Sequence, residues 1–477
     1  MSATSAAPGG PSPAPRRGDR VPLINIFSLG ATSVPLAMVL LTFGVYMPRY
    51  YVALGVSFAA VGAAVAIVRL LDVAIDPLVG LFMDQTRTPI GRFRPWLLLG
   101  APILMFGVYK LFLPSGPVDA AYLVTWLLFA YVGNSCLTLG AAAWGANIAD
   151  AYSERARVYG YIQAMAVLGS VALLLMGEIT QGRIVPGTKA GTPLVGLMMV
   201  IAVPIAVLLT TLLTPERKLS GLTKSKFSLA DYAVALKRPA MARLIVADLL
   251  LTLGAGTTGP IYVYFFHDAK GFSVKTTGTL LIFYIGAGLL GAPFWSSLAQ
   301  RISKHRGVQL ACVAYAICQT ALMAIPKALY LPTAVGMFAV GFCASAFIPL
   351  VRSMVADICD EVRLETGKDL SSVLYAMVTT TSKIGTAISV SIVFPILQIV
   401  GYNGKEGIEN TPQAIFGLEM CYLFAPIILV FIGGGALFGY RLDAKRHAEI
   451  RTALEERDVA ASEEALVGET AATAAAE

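Results

Sequence analysis

Residues 66–80 read Ala66-Ile-Val-Arg-Leu-Leu-Asp-Val-Ala-Ile-Asp-Pro-Leu-Val-Gly80, and this stretch decides how the rest of the chain is interpreted. Two aspartates, Asp72 and Asp76, lie one helical turn apart in a hydrophobic segment long enough to cross a membrane. Their spacing puts both side chains on one helix face. A carboxylate in hydrocarbon is costly, and such a residue indicates function. Two neighbouring carboxylates away from water can share a proton or hold a small cation, so the stretch predicts ion-driven transport.

The composition is that of a membrane protein. Of the 477 residues, 56% are hydrophobic and only 14% are charged, and the mean hydropathy is +0.71. Soluble domains carry about 25% charged residues. Apolar runs of about 20 residues, each long enough to span a bilayer as a helix, recur along the chain. We predict an all-α membrane protein with twelve transmembrane helices, at approximately residues 25–53, 56–83, 95–114, 119–149, 157–182, 193–213, 240–267, 273–300, 307–326, 328–356, 370–400 and 413–440.

The net charge of +7 has a membrane explanation. When both termini are placed inside, most lysines and arginines fall in the inner loops and in the two tails. This distribution is the positive-inside bias of membrane proteins. We therefore expect a multi-pass protein of the plasma (inner) membrane, with both termini in the cytoplasm and without a nucleic-acid partner.

Cysteine and histidine positions predict no metal or cofactor site. The six cysteines all fall within predicted spans without a C-x-x-C pair, and the three histidines are scattered. No G-x-x-x-x-G-K-S/T loop occurs, which excludes ATP-driven transport by this chain alone. No nucleophile–base combination stands out, so we expect no enzyme activity. The expected ionic partner is a coupling ion, H⁺ or Na⁺.

A polar connection at residues 214–239 divides the spans six and six. The pattern Ala-Asp-x-x-x-Glu begins at Ala149, at the end of the fourth span, and recurs at Ala356, at the end of the tenth. A repeat at equivalent positions favours two six-helix bundles around a central cavity, which we expect to function as a monomer. The expected units are a disordered cytoplasmic N-terminus at 1–23, bundles at 24–213 and 240–440, and a mostly disordered cytoplasmic tail at 441–477.

Two basic residues are candidate partners for the aspartate pair. Arg69 lies three residues before Asp72 on a similar helix face, and Lys383 lies near the middle of the eleventh span. Thr379 and Lys383 share a face that Tyr375 extends, so this span is predicted to offer a counter-charge and a polar wall for a substrate. A purely structural salt-bridge cluster is the alternative, although buried ion pairs contribute little net stability.

Other residues are candidates for binding a substrate. Trp144 is surrounded by small residues, so its ring can project into a cavity and stack on a sugar, or pack against a neighbouring helix. Thr257 and Thr258 add polar groups to the glycine- and proline-rich part of the seventh span. Gln163 is a weaker candidate. Arg49 is interpreted as an anchor at the interface on the outer side of the plasma membrane.

The second inner connection carries an acidic residue followed by three arginines. Such a cluster can hold the cytoplasmic side shut and open during transport, with acidic residues of other inner segments as partners. Ordinary positive-inside anchoring is the alternative. The residues of this predicted cytoplasmic gate are Asp84, Arg87, Arg92, Arg94, Asp150, Glu154, Asp357 and Glu361.

The stretch from Asp72 to Gly80, followed by Asp84-Gln-Thr-Arg-Thr-Pro-Ile-Gly-Arg-Phe-Arg-Pro-Trp96, resembles the glycoside–pentoside–hexuronide:cation symporters of the major facilitator superfamily, which include the melibiose permease. The resemblance covers residues 24–440. It implies an alternating-access symporter with a central site between two six-helix bundles. It also implies that the aspartate pair binds the coupling cation with Lys383 beside it, and that Trp144 lines the sugar pocket.

This chain departs from the family pattern at two places. Ile75 stands where the melibiose permease has an asparagine, which removes a neutral oxygen for sodium and favours a proton, unless Thr138 compensates. The acidic residues that hold galactoside hydroxyls are also absent, because the chain has Thr32-Ser-Val-Pro35 and Gly140 there. The expected substrate is another sugar, a glycoside or a sugar acid. An exporter, a lysolipid or amphiphile carrier, or a non-transporting membrane sensor are alternatives.

Overall fold

The chain folds into apolar helices that cross a membrane-sized thickness. The structure is a computed structural model that describes residues 21–148, 152–216, 238–366, 371–405, 407–440, 442, 446–450, 452–454 and 456–457. The twelve spans consist of Leu23–Ala31, Ser33–Leu41, the π-helical turn Thr42–Tyr46 and Met47–Ala53 (span 1), Phe58–Gln85 (2), Arg94–Phe112 (3), Ala120–Ile148 (4), Tyr152–Ile179 (5), Gly191–Leu213 (6), Pro239–Tyr264 with the π-helical turn Phe265–Ala269 (7), Val274–Ile302 (8), Lys304–Ala324 (9), Tyr330–Ala344 and Phe347–Thr366 (10), Ser371–Ile399 (11) and Pro412–Ala436 (12).

Several spans begin at a side chain that caps the helix. Ser57 accepts a hydrogen bond from the backbone N–H of Ala60 before span 2, and Ser273 accepts one from Thr276 before span 8. Thr411 does the same before span 12. The first backbone N–H groups of a helix have no partner within the helix, so a hydroxyl at this position stabilises its start. Local sequence thus sets where these helices begin, and the apolar runs set their length.

Glycines allow spans 3 and 4 to pack at backbone distance. A Cβ atom on Gly107 would lie 2.6 Å from the backbone nitrogen of Ala130, and one on Gly133 would lie 2.4 Å from that of Leu104. Small residues at these positions permit the close van der Waals packing that holds helices together in lipid.

The first six spans meet the last six in the half of the molecule that is remote from Leu23, where span 1 begins. We call the end of the bundle where span 1 begins the terminal face, and the opposite end the far face. Ser391 Oγ in span 11 donates to the carbonyl of Gly62 in span 2 at 2.8 Å. A Cβ atom on Gly278 of span 8 would lie 2.9 Å from the carbonyl oxygen of Leu174 in span 5. These contacts all lie between the middle of the spans and the far face.

Gly133→Ala is expected to lower the melting temperature of the detergent-solubilised protein, because the added methyl group meets backbone atoms that cannot move aside. Overpacking of this kind costs about 1–3 kcal/mol. Gly80→Ala is the matched control, because a Cβ atom on this helical glycine meets nothing within 4 Å. Equal melting temperatures for the two variants would show that close packing of spans 3 and 4 does not limit stability.

Candidate functional site

Three charged side chains meet near the middle of the membrane-spanning helices. The Lys383 ammonium group of span 11 donates to Asp72 Oδ2 at 3.0 Å and also to Asp76 Oδ2. The helical spacing of the aspartates turns both carboxylates toward span 11, which lies beside span 2. We call Asp72, Asp76 and Lys383 the charge triad, and it joins the first six spans to the last six.

The two carboxylates of the triad differ in their remaining contacts. Asp72 is buried, and its Oδ1 accepts a hydrogen bond from Ser135 Oγ of span 4 at 2.8 Å. Asp76 Oδ1 is also buried, but it accepts no hydrogen bond from the described residues. Asp72 is therefore the better satisfied carboxylate, and Asp76 keeps one oxygen that can take a proton or bind a cation.

Ser135 was not identified from the sequence. The sequence pointed instead to Thr138, about one turn further along span 4, which is exposed in the structure. The polar pair Asn134 and Ser135, buried within an apolar span, was the available signal. A neutral oxygen therefore reaches the triad from span 4, although Ile75 offers none from span 2.

Arg69 does not share the ion pair of the triad. Its guanidinium group lies over the Tyr131 ring, 5.1 Å from the ring centroid, and its Nη1 is 3.5 Å from Thr386 Oγ1. Its Nε is buried and has no hydrogen-bond partner among the described residues. The structure thus gives the role of counter-charge to Lys383 and places Arg69 about one turn closer to the far face.

A cavity of about 250 Å³ lies between the two halves, next to the triad on its far-face side. Of the candidate site residues, Arg69 and Thr258 line it, whereas Thr257 is buried and donates to the carbonyl of Gly254 at 2.7 Å. Thr386 and Ser389 of span 11 also line the cavity, and the sequence analysis missed both. The lining is otherwise mostly apolar and aromatic, with Phe43, Tyr262, Tyr284, Met337 and Tyr422 among its larger side chains.

The structure places Trp144 in the protein interior near the terminal face. Its side chain is fully buried, its Nε1 donates to the carbonyl of Pro215 at 3.0 Å, and its ring is stacked with that of Phe93 at 6.4 Å. The Arg94 guanidinium lies over the same ring at 5.7 Å. A ring without exposed surface cannot stack on a solute, so this position favours helix packing over the sugar-lining role that the resemblance implied.

The remaining predicted substrate residues lie outside the cavity. Gln163 is exposed. Thr379 Oγ1 donates to the carbonyl of Tyr375 at 2.8 Å, and the Tyr375 hydroxyl donates to the carbonyl of Arg352 at 3.2 Å. Both lie on the terminal-face side of Lys383.

The predicted gate arginines make contacts within the first half of the molecule. The backbone N–H of Phe93 donates to Glu216 Oε1 at 3.0 Å, and that of Arg92 donates to the same oxygen. Arg94 donates to the carbonyl of Thr214 at 3.1 Å, and Arg87 is exposed. Glu216, which the sequence analysis missed, thus fixes the loop that carries these arginines.

The predicted acidic gate residues fall into two groups. Asp150 and the side chains of Asp84 and Glu154 lie outside the described residues. Asp357 pairs with Lys304 at 2.6 Å and with His447 at 3.3 Å, and these partners belong to the second half. Glu361 is half-buried on the same helix. The described gate contacts therefore hold each half together and do not join one half to the other.

The far face is closed by contacts between the halves. Arg49 of span 1, interpreted from the sequence as an interfacial anchor, is only 6% exposed, and its guanidinium lies 5.2 Å from the centroid of the Tyr264 ring of span 7. Phe58 of span 2 packs edge-on against Tyr264 at 5.7 Å. At the rim, Lys275 and Glu178 form an ion pair at 2.7 Å. We call these five residues the far-face closure.

A family model described as MFS/sugar transport protein matches residues 28–444. The chain belongs to this family. The resemblance to the glycoside–pentoside–hexuronide group is thereby confirmed, and so is the all-α major facilitator fold with twelve membrane-spanning helices.

Relatives with established names are similar over most of their length. An isoprimeverose transporter of Lactiplantibacillus pentosus is 25% identical over 408 residues, which cover 82% of each chain. The human sodium-dependent lysophosphatidylcholine symporter 1 is 23% identical over 436 residues, which cover 83% of this chain and 78% of that protein. The crystal structure of the nucleoside transporter NupG matches with a TM-score of 0.67 at 12% identity, over 87% of this chain and 99% of that chain, and shows the fold alone.

Lys383→Gln is expected to destabilise the protein by about 1–3 kcal/mol, because it leaves two carboxylates together without their cation. Adding Asp76→Asn to this variant is expected to restore part of the loss, since one of the repelling charges is then removed. Thermal unfolding in detergent measures both effects.

Lys275→Gln is the matched control, because its ion pair with Glu178 is partly exposed and worth about 0–1 kcal/mol. A loss of stability no larger in Lys383→Gln than in Lys275→Gln would contradict the assigned role of the triad.

Proposed function

We propose that this protein is a proton-coupled symporter that carries a sugar, glycoside or sugar acid by alternating access, as a monomer in the plasma membrane. The observation that carries the proposal is the charge triad. Two carboxylates of one half of the molecule hold one ammonium group of the other half, at mid-membrane and next to a cavity between the halves. Intramembrane ionisable groups at such a boundary mark ion pathways in transporters.

The triad offers a direct means of coupling. A proton on Asp76 removes one of the two negative charges that hold Lys383, and it therefore weakens a contact between the halves. Since transport requires the halves to rock against one another around a fixed site, a bound proton changes the energy of that motion. In this mechanism Asp72, with Ser135 on its second oxygen, keeps Lys383 in place.

The geometry favours a proton over a metal ion. The Lys383 ammonium already lies between the two carboxylates, in the position that a sodium ion shared by them would need. A proton requires only one free carboxylate oxygen, and Asp76 Oδ1 has that property. Sodium is the alternative because one relative is named a sodium-dependent symporter.

The distribution of basic residues supports an orientation with the terminal face in the cytoplasm. The far face is then external, and the far-face closure shuts the outer end of the transport path. The cavity lies inside this closure, with Arg69, Thr258, Thr386 and Ser389 as its polar groups. An isoprimeverose transporter among the relatives supports a sugar as the solute.

An amphiphile is the second candidate substrate, and the apolar cavity lining is the observation that favours it. A relative that is 23% identical is named a lysophosphatidylcholine symporter, which supports this candidate. Competition of sugars and lysolipids for the same uptake separates the two candidates. Inhibition by lysolipids below their micellar concentration, with none by sugars, would reverse the preferred assignment.

Asp72→Asn and Asp76→Asn are each expected to abolish concentrative uptake. Asp76→Asn removes the carboxylate that takes the proton, and Asp72→Asn leaves Lys383 without a carboxylate when Asp76 is protonated. Purified protein in vesicles, loaded with a panel of labelled sugars under an imposed pH gradient or an imposed sodium gradient, measures this. The pH gradient is expected to drive uptake by the unmodified protein and the sodium gradient to have no effect.

Exchange of internal for external sugar without a gradient is expected to survive in at least one of these variants. Glu449→Gln is the control, because Glu449 is exposed and pairs with Arg446 outside the spans. Normal concentrative uptake by both aspartate variants would refute the coupling assignment.

Cross-linking the far face shut is expected to stop uptake. Glu178 and Lys275 belong to different halves, and their charged groups are 2.7 Å apart. In the double variant Glu178→Cys/Lys275→Cys, a reducible bis-maleimide linker would tie the halves together, and uptake would return on reduction. The single variant Glu178→Cys under the same treatment is the control. Undiminished uptake by the cross-linked protein would show that the far face does not open.

A further inference from the structure

The charge triad and Arg69 are balanced in number but not in pairing. The next buried carboxylate, Asp248 of span 7, accepts a hydrogen bond from Ser382 and has Arg352 as its own nearby cation. The two negative charges of Asp72 and Asp76 face the two positive charges of Lys383 and Arg69. Lys383 contacts both carboxylates, and Arg69 forms no ion pair with a described residue. One cation of this group is therefore left without an anion beside it.

Arg69 turns this unpaired charge toward the cavity. It is the one residue with a formal positive or negative charge among the described residues that line the cavity. Its polar contacts are weak, because the Thr386 hydroxyl lies at 3.5 Å and Nε has no partner. The Tyr131 ring supports the guanidinium from one side. Arg69 is half-buried, so water replaces only part of the missing contacts, and an anion that joins it during the working cycle would stabilise it.

The serine and threonine hydroxyl groups of the cavity do not replace this donor. Thr258 donates to the carbonyl of Ala255 at 2.9 Å, Ser389 donates to that of Thr386 at 2.8 Å, and Thr386 donates to that of Lys383 at 2.9 Å. With their protons engaged by the backbone, these oxygens are left as acceptors. The Tyr262 hydroxyl likewise donates to the carbonyl of Thr277 at 2.8 Å, so among the polar side chains of spans 2, 7 and 11 that line the cavity, Arg69 is the hydrogen-bond donor available to a solute.

We propose that Arg69 binds an anionic group of the transported solute, a carboxylate or a phosphate, and that this solute is a small sugar acid or sugar phosphate. The guanidinium fork matches either group. The cavity of about 250 Å³ is smaller than the roughly 300–1,000 Å³ of drug-sized sites, which favours a small solute.

This inference rests on the proposed function. It implies that the charge of the bound proton and the charge of the bound solute compensate each other. The empty site has two negative and two positive groups. A proton on Asp76 raises the sum by one, and a singly charged anion such as a carboxylate on Arg69 lowers it by one. The site then carries no net charge when it is empty and when it holds both ligands, but it carries a charge when only one is bound. Because an unbalanced charge in a low-dielectric interior is costly, the carrier moves most easily in the empty and the fully loaded forms.

Binding to matched pairs of sugars tests the inference without requiring transport. The probes are glucuronate against glucose, galacturonate against galactose, gluconate against sorbitol, and glucose 6-phosphate, added to the purified full chain in detergent and followed by calorimetry. At least one acid or phosphate is expected to bind about tenfold or more tightly than its neutral partner. Tighter binding of every neutral partner, or no binding by any anion, would overturn the proposal.

Three variants test whether Arg69 causes this preference for the anionic sugar. Arg69→Gln is expected to remove it, with the affinity for the neutral partner changed about threefold or less, and Arg69→Lys to keep part of it because the charge remains. Lys110→Gln removes one positive charge of the same half where it lies over Phe106 and Trp126, and is expected to keep the whole preference. An unchanged preference in Arg69→Gln would show that another group binds the anion.

A transport measurement separates this inference from the proposed function. Uptake of a sugar acid with one negative charge under a pH gradient is expected to be insensitive to a membrane potential imposed with potassium and valinomycin, since one proton and one negative charge move together. Binding of the anion by Arg69 without any response to gradients would overturn proton coupling and leave this site standing. Proton-driven uptake of neutral sugars alone would overturn the anion site at Arg69 and leave proton coupling standing.

Discussion

The contact of one ammonium group with two carboxylates, across the boundary between the halves, is the interaction on which the rest of the structure depends. Three charged groups in the middle of an apolar assembly are costly to bury, and the Coulomb attraction between them offsets this cost only in a close geometry. Lys383 provides that geometry by reaching both Asp72 and Asp76 from the neighbouring span. Spans 2 and 11 therefore lie side by side, and separating the halves at this level would break both contacts of Lys383.

Much of the fold could be predicted from the sequence because the constraints that set it are local. The thickness of a bilayer fixes the length of each apolar run, and the eleventh span, predicted at 370–400, is the helix Ser371–Ile399. The spacing of Asp72 and Asp76 likewise fixes their common face. The contacts between spans could not be predicted in the same way. Ser135 lies 63 positions from Asp72 in the chain, and no local pattern in span 4 states which helix its hydroxyl meets.

Trp144 and Arg49 also show that local sequence does not predict contacts with distant segments. Small neighbours make a cavity position and a packed position look alike in sequence, and the burial of Trp144 is decided by Phe93 and Pro215, which lie on other segments. A basic residue near the end of a span usually reaches the membrane interface. Arg49 instead lies over the Tyr264 ring of the other half, because the two halves meet at that face. In both cases the partner belongs to a distant part of the chain.

Span 11 joins the three parts of the proposed transport path in one continuous helix. Lys383 is held by the carboxylates, Thr386 and Ser389 line the cavity on the next turns, and Phe394 packs edge-on against Phe58 of the far-face closure at 4.9 Å. A helix without a break between these positions transmits a shift at one end to the other, since packed interfaces have discrete arrangements and do not deform continuously. In the proposed mechanism, the release of Lys383 by a proton acts both where the solute lies and where the far face is shut. The proposed coupling between ion, solute and opening requires no further element, because the same backbone carries a contact to each of these sites.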